Sequence, residues 1–282
     1  MIRYIGGIAT VRFLRCVRLG RYETIRVRKI KLVLYPICGA VIVTAGWQLW
    51  KMMCSMQHTE ELYAELTEVR EENAGSVEEM MANPWLLELQ EENPEVAGWI
   101  RIPDTRIDYP VMQTEEDNDY YLNHDFNRES NAHGAPFLDV NCRIGESENL
   151  IIYGHNMKDK TMFQNLMLYK DAQFCESNGT IEFDTPEKSM YYQVIFVMLL
   201  SAEETEEFPY YQYIDLSDAD RYQEFLEMCA QYAIWERDGW QSQGQQAAEQ
   251  SSGICDTLLT LSTCEYTRKD GRLVVVAVNT RE

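Results

Sequence analysis

Histidine is scarce in this chain, with four residues in 282. Any reaction that needs an imidazole must therefore draw on His58, His124, His133 or His155. Cysteines paired at metal or redox spacing are missing altogether. The eight cysteines (Cys16, Cys38, Cys54, Cys142, Cys175, Cys229, Cys255 and Cys264) include no C-x-x-C, so a zinc knuckle or a thioredoxin-type site has no support. Basic residues thin out beyond Trp50. Residues 1–50 hold nine Lys or Arg against one acid, Glu23, whereas the remainder holds 16 against 45. So acidic a body repels phosphate, which argues against nucleic acid as its partner. No internal repeat is visible.

What is present starts with an apolar run. Leu32 to Trp50 contains one strongly polar side chain, Gln48. Nineteen helical residues span roughly 30 Å, the thickness of a bilayer's hydrocarbon core. Arg26, Arg28, Lys29 and Lys31 precede the run, which predicts a cytoplasmic N-terminus, and Trp47 and Trp50 suit the far interface. A cleaved signal peptide would have a shorter apolar region followed by a cleavage site. The run ends instead in Gln-Leu-Trp-Lys. The expected layout is a cytoplasmic segment 1–31, a single-pass anchor 32–50, an extracellular stalk 51–84 and a globular domain 85–282. An exported domain can oxidise some of its cysteines, but a cysteine that reacts must stay free.

From Trp85 onward, a short helix (Trp85 to Glu91) leads into apolar runs broken by turn residues. Strands are expected at Trp99–Ile102, Ile107–Met112, Ala135–Val140, Asn149–Tyr153, Thr180–Phe183, Met190–Leu200, Thr257–Thr263 and Arg272–Val278. Helical spacing marks Asp119–Phe126, Thr161–Asp171 and Ser217–Ala233, the last with Ser217 as a candidate cap. Gln241–Ser252 reads as an exposed loop. About eight strands with few helices make a mainly β chain, a closed barrel with peripheral helices.

The last two strands carry the chemistry. Asp270-Gly271 is a turn signal. An antiparallel hairpin there would set Cys264 opposite Arg272, with Cα atoms roughly 5 Å apart. Period-two alternation puts Ser262 on the face of Cys264. A guanidinium beside a thiol can favour thiolate and donate to the oxyanion of an attacked carbonyl, with a planar fork that lysine lacks. Such a nucleophile also needs an imidazole. His58 falls in the stalk, and His124 and His133 flank a polar loop. His155 follows the strand Asn149–Tyr153 directly after Gly154, at the kind of strand end where catalytic groups are held. Taken singly, each of the three has a plainer reading: a buried small hydrophobe, a structural histidine, a solvated arginine.

Taken together they resemble a known family. Thr260-Leu261-Ser262-Thr263-Cys264 followed by Arg272 is similar to the sortase signature, a TLxTC strand with a downstream arginine. Tyr153-Gly154-His155-Asn156 resembles the family's histidine segment. The likeness continues in Asn93 to Ile100, Tyr109-Pro110-Val111 and Tyr121-Leu122-Asn123, covering roughly residues 85 to 282. Ser262 within the signature, and the long helix-bearing segment before the last hairpin, point to class B.

The resemblance implies an eight-stranded barrel and a cysteine transpeptidase. Cys264 would cleave a sorting-signal peptide after threonine, and an amine would resolve the thioacyl enzyme. The amine would be lipid II, a cell-wall precursor, or a lysine on a pilin. His155 would serve as acid and base, and Arg272 as oxyanion stabiliser and substrate anchor. The implied substrate contacts are Asn118, Tyr153, Tyr211, Ser262, Thr263 and Glu265. No cofactor is implied. The acids in Glu203–Glu207 read as a solvated charge run rather than a metal site. Two rival readings differ in kind. One is a membrane-anchored cysteine protease, with water as acceptor; the other is a non-catalytic surface barrel.

Overall fold

The structure, a computed structural model, describes residues 6–73, 83–241 and 257–280. The Gln-rich loop expected at Gln241–Ser252 lies outside them beyond its first residue, and so does part of the expected stalk, 74–82. The chain divides into two compact units, Met1–His58 and Thr59–Glu282.

The described residues of the first unit belong to helix α1 (Gly6–Asn73). Leu32, Val41, Ile42, Val43 and Trp47 are among its exposed large apolar side chains. Among the described residues, by length and composition, α1 holds one segment able to cross a membrane.

In the second unit the last turns of α1 lie against the barrel. Thr59, Leu62, Tyr63 and Leu66 are buried, and Val69 packs beside them. These positions recur at helical spacing, so they form one apolar stripe. The Tyr63 hydroxyl donates to the Gly134 carbonyl at 3.0 Å, and Arg70 Nη1 lies 3.0 Å from Asp108 Oδ1. Within the range expected to be a polar stalk, Thr59–Asn73 is therefore packed structure, because that stripe interrupts its glutamates.

After α2 (Trp85–Glu92) come β1 (Val96–Arg101), β2 (Asp108–Met112), β3 (Phe137–Leu138) and β4 (Asn149–Tyr153). Next are α3 (Ala172–Ser177), β5 (Thr180–Asp184), β6 (Ser189–Leu200), α4 (Ala202–Glu207) and α5 (Ala219–Tyr232). The chain finishes with β7 (Ala233–Glu236), β8 (Leu258–Glu265) and β9 (Gly271–Asn279). The sheet runs β5-β1-β2-β3-β4-β8-β9-β6-β7, and β5 also pairs with β6. That pairing closes eight strands into the expected barrel, and β7 continues along one edge of β6.

Alternation on β9 defines inside and outside. Leu273, Val275 and Ala277 join the barrel core, whereas Val274, Val276 and Val278 join a second cluster with Tyr222, Phe225, Leu226 and Cys229 of α5. The even-numbered face of β9 is thus the outer one, roofed by α5. Asp218, not Ser217, caps α5, accepting from the Arg221 amide at 3.0 Å; the Ser217 hydroxyl turns back to Asp215. The Glu203–Glu207 run lies on α4, where Ser201 and Glu204 form a reciprocal capping box. Asp119–Phe126 is helical only as a 3₁₀ turn over Tyr120–Leu122, and Phe163–Lys170 is likewise 3₁₀.

Candidate active site

The expected hairpin is present. β8 and β9 pair antiparallel with Cys264 opposite Arg272 and Ser262 opposite Val274. Arg272 shares the parity of Val274, so Cys264, Arg272 and Ser262 all lie on the barrel's outer face. Asp270 turns the hairpin with φ +48°, a left-handed conformation that aspartate tolerates better than most residues. Arg272 Nη1 donates to the Gly271 and Asp270 carbonyls at 3.0 and 3.3 Å, which seats its guanidinium over the turn. The neighbouring Arg268 is committed elsewhere, to the Leu199 carbonyl at 2.6 Å and to Glu204 at 2.8 Å.

β4 runs parallel to β8, with Tyr153 opposite Ser262. Beyond Tyr153 the pairing stops, and two hydrogen bonds bracket His155 against β8: Thr263 Oγ1 donates to the Gly154 carbonyl at 2.6 Å, and Asn156 Nδ2 donates to the Cys264 carbonyl at 2.8 Å. Gly154 admits Phe163: a Cβ there would meet the ring at 2.6 Å. His155 Nε2 lies 2.8 Å from the Leu122 carbonyl. A carbonyl only accepts, so Nε2 carries the proton, and Nδ1 of the neutral ring holds the lone pair.

The other histidines of this unit are occupied differently. His124 stacks on Tyr120 with centroids 4.0 Å apart, and His133 Nε2 meets Asp159 at 2.6 Å. Cys142, Cys175 and Cys229 are fully buried, and burial pushes the Cys175 thiol up to about 11 and that of Cys229 well above its ordinary value. Cys264 is half-buried. Among the described residues no three His, Cys, Asp or Glu converge as metal ligands.

The residues expected to touch substrate fall into two groups. Asn118 and Tyr153 share one buried carboxylate. The Tyr153 hydroxyl donates to Asp139 Oδ2 at 3.0 Å, Asn118 Nδ2 reaches the same oxygen at 3.4 Å, and Asn118 Oδ1 accepts from the Val140 amide at 2.9 Å. Burial, then the charge of Asp139, push the Tyr153 phenol up. Asp139 escaped the sequence reading because an acid inside a short strand looks like a surface position.

Ser262, Thr263 and Glu265 surround Cys264 on β8. Ser262 Oγ lies 2.7 Å from the Tyr210 hydroxyl, Thr263 Oγ1 donates to the Gly154 carbonyl at 2.6 Å, and Glu265 pairs with Lys170. Tyr211 is 42% exposed and meets this group through the ring of Tyr210, 5.7 Å away. Tyr210 is buried, and burial raises its phenol, while Arg272 pulls it down and Cys264 pushes it up. Tyr266 is likewise raised, by burial and then Cys264, against Arg272. Both tyrosines thus feel the Cys264–Arg272 pair. A Tyr-Tyr doublet in a segment without periodicity offered no signal to choose Tyr210 over Tyr211.

Known proteins match this chain over most of its length. The family model described as the sortase domain matches residues 100–280. Sortase B of Listeria monocytogenes is 30% identical over 240 residues, covering 83% of this chain and 90% of that protein. The Staphylococcus aureus sortase B–substrate complex superposes with a TM-score of 0.66 at 28% identity, over 80% of this chain and 97% of that one. A sortase B complexed with triglycine gives 0.65 at 27% identity, over 80% and 98%.

Proposed function

The chain belongs to the sortase family, as a class B cysteine transpeptidase, and from that premise we propose that it cleaves the sorting signal of secreted surface proteins after threonine and passes the acyl group to an amine. Cys264 is the nucleophile, His155 the acid and base, and Arg272 the oxyanion donor. The observation that supports this reading is Cys264 opposite Arg272 on paired strands, with His155 held between hydrogen bonds from Thr263 to Gly154 and from Asn156 to the Cys264 carbonyl.

The reaction follows from those positions. The Cys264 thiolate adds to the threonine carbonyl carbon, forming a C–S bond and an oxyanion, which the Arg272 guanidinium stabilises. The C–N bond then breaks, and protonated His155 delivers its Nδ1 proton to the departing amine, leaving a thioacyl enzyme. An incoming amine attacks the thioester and yields its proton to the same nitrogen. The new C–N bond forms as the C–S bond breaks, and the thiolate is restored. Asn118 and Tyr153, steadied by Asp139, form the groove wall for the peptide, beside Ser262, Thr263 and Glu265.

A relative solved with substrate and another with triglycine support a peptide donor and an amine acceptor. The acceptor in the cell is a lipid II amine or a pilin lysine. The apolar run of α1 anchors the chain in the cell membrane, with its basic N-terminus inside and the barrel outside.

The test is an internally quenched peptide with an Asn-Pro-x-Thr core, incubated with and without triglycine. The expected product is the threonyl–triglycine amide, and Cys264→Ala abolishes cleavage with the fold intact. Hydrolysis indifferent to the amine would make the enzyme a protease. Cleavage persisting in Cys264→Ala would remove the nucleophile assignment.

A further inference from the structure

The ladder between β4 and β8 runs out beside the site, and side chains take over from it. Gly154 N donates to the Ser262 carbonyl at 3.2 Å, in the register of a parallel pair. Continued by one repeat, that ladder would join the Gly154 carbonyl to the Cys264 amide and the Asn156 amide to the Cys264 carbonyl. In their place the Gly154 carbonyl accepts the Thr263 hydroxyl at 2.6 Å, and the Cys264 carbonyl accepts the Asn156 side-chain amide, Nδ2, at 2.8 Å. The chain past Gly154 can then leave the sheet while remaining tied to β8. It doubles back at once, since Phe163 N donates to the His155 carbonyl at 2.8 Å and Asn156 pairs with Met162.

We propose that Asn156 is a positioning residue for the transpeptidase reaction, its side-chain amide holding His155 in register with Cys264 where strand pairing has ended. The inference rests on the reading of His155 and Cys264 as the catalytic pair. The hydrogen bonds flank His155 on both sides, Thr263 to residue 154 and Asn156 to the nucleophile's own carbonyl. One further tie reaches residue 156, from the Tyr266 hydroxyl to the Asn156 carbonyl at 3.2 Å, and Tyr266 is 70% exposed. An exposed phenol shares its hydrogen bond with water, so it replaces the half-buried Asn156 tie poorly. The Asn156 amide is engaged with the Cys264 carbonyl, so its loss acts on the geometry of His155 rather than on peptide affinity.

The experiment uses the full chain in detergent micelles, with Asn156→Ala, the isosteric Asn156→Asp and His155→Ala compared on the quenched peptide with triglycine. Misplacing a catalytic group by about 1 Å costs up to about 100-fold, so both Asn156 variants should lose about 10- to 100-fold in kcat with KM within about twofold. Aspartate keeps the shape and loses the donor, so it reads out the hydrogen bond even where alanine disturbs folding. A parent-like kcat in Asn156→Asp, or a loss carried by KM, overturns the proposal. A parent-like His155→Ala would instead overturn the catalytic reading beneath it, whatever the Asn156 variants do.

Discussion

Lys170 Nζ sits 2.6 Å from a carboxylate oxygen of Glu265, the residue directly after Cys264. Glu265 is 3% exposed and Lys170 32%, so the pair joins the 3₁₀ segment Phe163–Lys170 to the nucleophile's hairpin from a largely dry position. The second carboxylate oxygen accepts from the Thr267 amide and hydroxyl at 2.9 and 2.8 Å. Burial pushes the Glu265 carboxyl up, but Lys170 and Thr267 outweigh it and hold the group below the usual carboxylate range.

Lys170→Met should therefore destabilise the protein at neutral pH, by about 1–3 kcal/mol, between the values for exposed and buried pairs. A carboxyl whose folded pKa is depressed contributes its stability above the unfolded value, about 4.3, and loses it as pH falls through the folded one. The penalty should shrink when melts at pH 7 are repeated near pH 3. An equal penalty at both would assign it to packing.

The Tyr210–Ser262 contact makes a separate forecast. Tyr210→Phe and Ser262→Ala should each cost about 1 kcal/mol in urea unfolding. Combined, they should fall short of additivity by about 0.5–1.5 kcal/mol, because they share one hydrogen bond at 2.7 Å. Strict additivity would show that the bond contributes nothing.

The end of α1 should behave as core. Leu66 is 4% exposed within the main apolar cluster, so Leu66→Ala in the chain from residue 59 onward should cost about 2–4 kcal/mol. A chain begun at residue 85 should melt lower than one begun at 59. Equal melting points would make the docked turns of α1 energetically idle.

Tyr222 offers a gain. Its hydroxyl is buried and, among the described residues, has no hydrogen-bond partner. Deleting an unsatisfied buried group removes its desolvation cost, so Tyr222→Phe should raise stability by about 0.5–2 kcal/mol. A lower melting point would mean that the hydroxyl is satisfied after all.

The hairpin was legible in the sequence because two β-branched runs flank a turn dipeptide, and alternation then fixes which side chains share a face. The barrel was legible for a similar reason. What stayed hidden is set by contacts distant in sequence. β7 had no signal of its own, with only Ala233 falling within the expected helix Ser217–Ala233, since Ala233–Glu236 becomes strand only by pairing with Phe196 to Met198 of β6. Asp139 matters because Tyr153 and Asn118 converge on it, and no local pattern announces convergence. The stripe Leu62, Tyr63 and Leu66 was masked by the glutamates around it. Asp119–Phe126 has helical spacing, but Asn123 bonds through its carbonyl to the Asn131 amide, and the chain turns away.

Closing β5 onto β6 also governs how the molecule meets its own copies. An open sheet has two rows of unpaired backbone groups that invite a foreign strand. Among the described residues β7 ends the strand order beside β6 with such a row, over four residues whose exposed members, Ile234 and Glu236, alternate with half-buried ones. So short a seam, ending in a charged side chain, gives aggregation little to nucleate on. Concentrated solutions of the folded barrel should resist fibril formation, and any aggregation-prone preparation should trace first to strain or substitution at Ala233–Glu236.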